Sequence, residues 1–241
     1  MKTTHSYIFA GLALLLSACG GSSSSATDAA TTETAATATA TGVEFPFLKA
    51  YTAMVKNGIN TTFALNLIGE NECAGKGSYV LTPATAGSVF YISPGNPVDA
   101  LRSIQTFRFD FTSGPCIDQG HSNSQYYSAA NGVPLGVNYE IGEYRVFSAQ
   151  HIPQTVRIGD SGPFFNTDSH DSTTLQYTSQ MSAASYAVTA GSTPNTAIFT
   201  ITHKNHFYDD VEVYSLTSDG AIKPVSFFWG GIVSSLMMKF D

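Results

Sequence analysis

The sequence predicts an all-β domain, an antiparallel and strongly curved sheet in the form of a partly open barrel or sandwich, with one short N-terminal helix. Three observations carry this. Beyond residue 58 nearly every apolar run alternates with period two. Turn signals rich in Gly, Pro and Asn separate the runs, and no helical pattern recurs between them as a βαβ fold would need. The 241 residues are only 12% charged, with a formal net charge of −7, so the surface is solvated by Ser, Thr, Asn and Gln rather than by ions. With that negative balance and no basic run, nucleic acid is excluded as a partner.

Taken in order, the first residues are a processing signal. Lys2 is the positive start, and Tyr7 to Leu16 form an apolar stretch shorter than the roughly 20 residues of a membrane-spanning helix. The stretch ends Leu16-Ser17-Ala18-Cys19-Gly20. This resembles the lipobox of bacterial lipoproteins, which implies cleavage after residue 18 and lipidation of Cys19. By the same resemblance, Gly20 in place of Asp implies export to the outer membrane of a Gram-negative envelope. Residues 19–42 then form a stalk of Ser, Ala and Thr without aromatic or large aliphatic side chains, unable to offset its ordering entropy by burial and expected to be disordered. Residues 43–241 remain as a single β domain.

Phe47, Leu48, Tyr51 and Val55 recur at helical spacing, with Lys56 in the last turn and Gly58 at the stop. Strand runs follow at 61–68, 78–82, 104–112, 143–147, 174–180, 185–190, 197–207, 211–216 and 223–229, and 10 to 13 strands fit the length. In the 197–207 run the odd positions are apolar except His203 and Asn205. With Cys19 lipidated, Cys73 and Cys116 are an even pair in an oxidising compartment, so a disulfide between turns at neighbouring strand ends is expected. Closing that loop would stabilise the fold by roughly 4 kcal/mol on the chain-entropy model.

Four segments, Ser124–Gly136 (SQYYSAANGVPLG), Val156–Gly162 (VRIGDSG), Tyr186–Ile198 and Tyr214–Val225, are similar to segments that recur in lipoproteins of betaproteobacteria. The resemblance spans most of residues 60 to 230. It implies the same lipoprotein character and brings no catalytic residue with it.

Few residues suggest chemistry. Gly159-Asp160-Ser161-Gly162-Pro163 is close to the nucleophile motif of trypsin-like proteases but lacks one Gly, and no His or carboxylate can be assigned to serve Ser161. The plain expectation is a tight turn, with Gly159 and Gly162 at positive φ and Asp160 bonding the backbone two residues on. Asp168, His170 and Asp171, with His203 and His206, have metal-binding side chains, but solvated strand-end histidines are the expectation, so neither a metal nor a cofactor is assigned. If Lys204-Asn205 were a hairpin loop, the two His would be opposed; a strand running on to a turn at 208–210 fits the odd-position pattern better.

Aromatic side chains are the remaining signal. Phe107, Phe109 and Phe111 share one strand face and suit a sheet interior. Tyr126, Tyr127, Phe228 and Trp229 are the candidate ligand-contact residues, expected in part exposed around an opening or patch. The functional expectation is a membrane-anchored, non-enzymatic binding or interaction module, its partner a glycan, a lipid or another envelope protein. The alternatives are a hydrolase using Ser161 and a structural spacer.

Overall fold

The computed structural model describes residues 42–69, 72–139, 143–171, 174–205, 209–231 and 234–241. The signal segment, Cys19, most of the stalk, His206 and Phe207 lie outside them. One helix, α1 (Phe47–Asn57), precedes thirteen strands: β1 (Ile59–Gly69), β2 (Cys73–Leu81), β3 (Thr85–Ser93), β4 (Asn96–Ser113), β5 (Gln119–Ser128), β6 (Pro134–Tyr139), β7 (Glu143–Ser148), β8 (Ser161–Asp171), β9 (Tyr177–Ala190), β10 (Thr196–Asn205), β11 (Asp209–Thr217), β12 (Ile222–Trp229) and β13 (Ser234–Phe240).

From β3 to β13 each strand pairs antiparallel with the next around a ring, and β1 pairs antiparallel with both β13 and β2. The ring closes where Phe63 of β1 meets Phe240 of β13 and where β2 pairs with β4 past β3. The result is a closed twelve-strand antiparallel barrel with one extra strand. Closure leaves no open edge in the ring, so the partial opening allowed by the sequence does not occur. Strands β2 and β3 lie end to end along the 18-residue β4, β2 against Gln105–Ser113 and β3 against Asn96–Arg102.

Alternation sorts the side chains as a water-exposed barrel requires. On β10 Ala197, Phe199 and Ile201 are buried while Thr200, Thr202 and Lys204 face out; on β1 Phe63 and Leu65 are buried between Thr62, Ala64 and Asn66. A bilayer-spanning barrel shows the reverse, an apolar outer band. Inside, Tyr79 stacks on Phe107 at 4.7 Å, Trp229 meets Phe107 edge-on at 4.8 Å, and Phe227 meets Phe240 at 4.8 Å. Phe107 and Phe109 belong to this core, and Phe111 packs against it half-buried.

Helix α1 closes one end of the barrel. Phe47, Leu48, Ala50 and Val55 are its buried side, and the Phe47 ring stacks on Phe199 at 4.0 Å. Gly58 ends it at φ 76°, donating its N–H to Met54, in the left-handed region that favours glycine. The strand-free link 149–160 completes the seal: Phe45 and Val156 exchange backbone hydrogen bonds at 2.9 Å, and Leu48 N–H donates to Gln154.

The β3–β4 hairpin forms a small second core with the outer side of the barrel. Phe90, Ala100, Tyr144 and Val146 are buried together, with Tyr126 packed against them. The Phe90 ring stacks on Tyr144 at 4.8 Å, and the Tyr144 hydroxyl accepts the Tyr91 N–H at 2.9 Å.

The disulfide joins Cys73 at the start of β2 to Cys116 in the β4–β5 connection, with Cα atoms 6.2 Å apart. Two sequence expectations need correction. The stretch from Gly159 is only in part a turn: Gly159 has φ 97°, but Ser161 and Gly162 already belong to β8, and Asp160 accepts the Arg157 N–H three residues back. The 174–180 run is strand only from Tyr177, since Asp171 caps a turn by accepting the Thr174 N–H at 2.7 Å.

Candidate functional site

The lumen holds a cavity of about 360 Å³ that runs from Tyr51 and Met54 of α1 to Asn205, Asp210 and Trp229 at the far strand ends. Its lining follows from the inward register. On β10 the inward positions pass from Phe199 and Ile201, 0% and 3% exposed, to His203, whose side chain is 17% exposed. On β11 they pass from buried Leu216 and Tyr214 to Glu212, 31% exposed at its side chain, and to half-buried Asp210. The lumen is therefore mostly apolar towards the helix, and polar and reachable at the far end. This gradient explains why His203 and Asn205 break the apolar face of their strand: the wall there meets solvent, not core.

Two walls differ in chemistry. On β4 and β5 an amide chain runs along the surface: Gln105 Nε2 donates to the Tyr79 hydroxyl at 3.3 Å, and Gln105 Oε1 accepts Asn123 Nδ2 and Gln125 Nε2, both at 3.0 Å. Beside it, Arg145 of β7 makes a paired salt bridge to Glu143 at 2.8 and 3.0 Å and lies 4.6 Å from the centre of the Tyr139 ring. Its charge is thus matched first by Glu143, with a smaller pull left on Asp210, and its face is covered by Tyr139.

On the β10–β12 wall, Glu212 accepts a hydrogen bond from the Tyr214 hydroxyl at 2.7 Å and lies 3.6 Å from His203 Nε2. Burial alone would raise its carboxyl, but the His203 hydrogen bond and charge and the Tyr214 hydroxyl outweigh this and hold it below its ordinary value. Asp210, on the same face of β11, accepts the Gly230 N–H through Oδ1 at 2.9 Å. Burial pushes it above its ordinary value against the pull of that N–H and of His203. Among the described residues Asp210 Oδ2 has no hydrogen-bond partner, whereas every fully buried side-chain nitrogen and oxygen has one. This oxygen is therefore one that a ligand can reach.

The residues singled out from sequence divide by face. Tyr127 and Trp229 line the cavity, Tyr127 buried and Trp229 half-buried. Tyr126 lies on the outer side beneath the β3–β4 hairpin, and half-buried Phe228 sits between Phe227 and Trp229 on the opposite face of β12. None of the four is fully exposed, because the barrel and its hairpin cover them. Ser161 is exposed at the first position of β8 and is not part of the cavity wall.

The described histidines do not assemble as a metal site, and His206 lies outside the described residues. His203 pairs in register with Asp210, so the strand runs past Lys204, and Asp209 and Asp210 belong to β11 rather than to a turn. Asp168 bonds Ser148, and His170 Nδ1 lies 3.0 Å from the Leu175 carbonyl. Among the described residues no three His, Cys, Asp or Glu side chains group as metal ligands.

What the sequence reading missed is the polar half of the lumen: Gln105, Asn123, Gln125, Arg145, Asp210 and Glu212. The available signal was the break at His203 and Asn205. A larger hollow of about 640 Å³ lies outside the barrel, between the end of α1 and the 218–221 turn. Its carboxylates Asp219 and Asp241 are engaged by Thr217 and Thr62, leaving little chemistry there.

Fold and cavity define a closed antiparallel barrel, covered at one end by a helix and holding a ligand-sized cavity in its lumen. Comparison with known proteins gives no match to a family model, to a curated protein or to a solved structure.

Proposed function

We propose that this chain is a lipid-anchored envelope lipoprotein, of the group its turn signatures resemble, whose barrel is a non-enzymatic binding module for a small polar molecule. The observation that carries the binding role is the mixed lining of the lumen. Amide, carboxylate and imidazole groups stand above an aromatic floor of Tyr79, Phe107, Phe227 and Trp229 in a cavity of about 360 Å³. Planar polar side chains beside aromatic faces suit a sugar or a similarly polar small molecule. A fatty chain is less well served: it needs a continuous apolar channel, and Gln105, Asn123, His203, Asp210 and Glu212 interrupt this lining. A pure spacer would gain stability from an apolar residue at position 210, since a half-buried carboxylate raised by burial, as Asp210 is, costs stability.

Trp229 is the only Trp in the chain and lines the cavity, so its fluorescence reports the site alone. Acrylamide should quench it, and a bound saccharide or other small polar molecule should protect it saturably. Ser182→Phe, which fills the lumen from β9, should abolish the protection while leaving the far-ultraviolet circular dichroism unchanged. If no compound in a panel of neutral sugars, amino sugars, amines and fatty acids protects Trp229, the binding role is refuted.

A further inference from the structure

We propose, resting on the lumen-binding role above, that the molecule bound in the lumen is a small organic cation, with an ammonium group held between Asp210 and Glu212 and the aromatic floor. Charge accounting across the cavity leads there. Among the described lining residues, the carboxylates are Asp210 and Glu212 and the permanent cation is Arg145. Arg145 is matched by the paired bridge to Glu143, so it gives Asp210 only a minor pull and no direct partner. Of the two imidazoles in the lining, His203 lies 3.6 Å from Glu212 and can balance one carboxylate at most, while His121 stands on the β5 wall with its Nε2 3.3 Å from Asn123 Nδ2. One negative charge is left over in a partly desolvated cavity, and the oxygen that carries it, Asp210 Oδ2, faces the lumen without a partner.

An uncompensated carboxylate at half-burial is costly unless a cation arrives to pair with it. A hydrated metal ion is poorly served, because the ligand count is too low and the neighbouring wall is aromatic. An ammonium group suits both features. It donates to Asp210 Oδ2 and to Glu212, and its polarised C–H and N–H groups rest on ring faces, with Trp229 the best donor of that kind. The opposite wall already shows the same preference, with the Arg145 guanidinium 4.6 Å from the Tyr139 ring centre. The amide chain Gln105–Asn123–Gln125 then faces the uncharged part of the ligand, where hydroxyls would be read.

Two sources share this chemistry, an amino sugar and a simple amine or quaternary ammonium compound. The test titrates the folded domain with glucosamine, N-acetylglucosamine, putrescine and tetramethylammonium, at a pH where the amines are protonated, reading protection of Trp229 from acrylamide. Glucosamine should protect and N-acetylglucosamine, the same ring without the charge, should bind about tenfold or more weakly. Protection by glucosamine alone identifies the amino sugar; equal protection by putrescine or tetramethylammonium identifies the bare ammonium group. Asp210→Asn should weaken each cation by about tenfold or more, and its thermal unfolding shows separately that the barrel is intact. Equal protection by glucosamine and N-acetylglucosamine, unchanged in Asp210→Asn, overturns the charge assignment and leaves lumen binding standing. Protection by none of these or of the wider panel overturns both.

Discussion

Asp210 and Glu212 are two carboxylates on one face of one strand, yet their surroundings move them in opposite directions. Glu212 is held below its ordinary value by His203 and Tyr214, while Asp210 is pushed above its own by burial. The linkage signs therefore differ. Glu212 contributes stability above the unfolded carboxylate range and loses it as pH falls through its lowered folded value. Asp210 favours the folded state only when protonated, a contribution lost as pH rises through its raised folded value, so at neutral pH it is a liability. Thermal unfolding at neutral pH should show Asp210→Asn more stable than the parent and Glu212→Gln less stable. In strong acid, where both carboxylates are protonated in either state, the two variants should converge on the parent. Should Asp210→Asn be destabilised at neutral pH, the carboxylate is structural and its retention needs no ligand. A destabilising group kept in a cavity is the usual mark of a site selected for binding.

Among the elements, the disulfide and the helix do separate work. Cys73 and Cys116 close a 43-residue separation across the β2–β4 pairing, where β2 leaves the regular meander to reach past β3. The double variant Cys73→Ala/Cys116→Ala should lose about 4 kcal/mol of unfolding free energy on the chain-entropy model, measured by guanidinium denaturation; no loss would mean that the strand pairing alone fixes the denatured chain there. At the other end Phe47 carries the seal, fully buried, stacked on Phe199 and edge-on to Phe164. Phe47→Ala should cost about 3–5 kcal/mol, and a loss below about 1 kcal/mol would show the seal to be provided by the 149–160 link instead. Gly77 serves the same core by absence: a Cβ there would lie 2.3 Å from the Phe63 ring and 2.3 Å from the Arg108 carbonyl, so only glycine lets β1 and β4 close around that ring.

For the molecule as a whole, the outward positions of strands such as β1 and β10 carry Thr, Asn and Lys while aromatic and aliphatic side chains point inward, so we propose that the hold on a membrane comes from outside the barrel. On the lipoprotein proposal that hold is Cys19. The chain enters the domain at the α1 end, through Phe45 and the seal, so such a tether joins the closed end and the lumen opens at the other. Cys19→Ala should move the protein from the membrane to the soluble fraction on envelope fractionation and abolish incorporation of labelled palmitate. Wild-type protein without lipid label, or a variant that still sediments with membranes, would refute the anchor.

Local chemistry determined much of this protein. The helix at 47–57 with its glycine stop, the strands with strict alternation such as β1 and β10, and the pairing of Cys73 with Cys116 all follow from residue pattern alone. Strands β5 and β8 were hidden because their inward positions include Asn123, Gln125 and Thr167, polar residues that erase the period-two signal wherever the lumen is polar. The short β6 and the hairpin strand β3 carry too few alternating residues to stand out. Closure of the ring, the collinear course of β2 and β3 along β4, and the sorting of Tyr127 and Trp229 inward from Tyr126 and Phe228 outward depend on register between distant strands. Only the tertiary structure decided the cavity, because Asp210, Glu212, Arg145 and Gln105 sit on strands far apart in sequence. A side chain's neighbours across a lumen are fixed by how many strands close the ring, which no local pattern encodes.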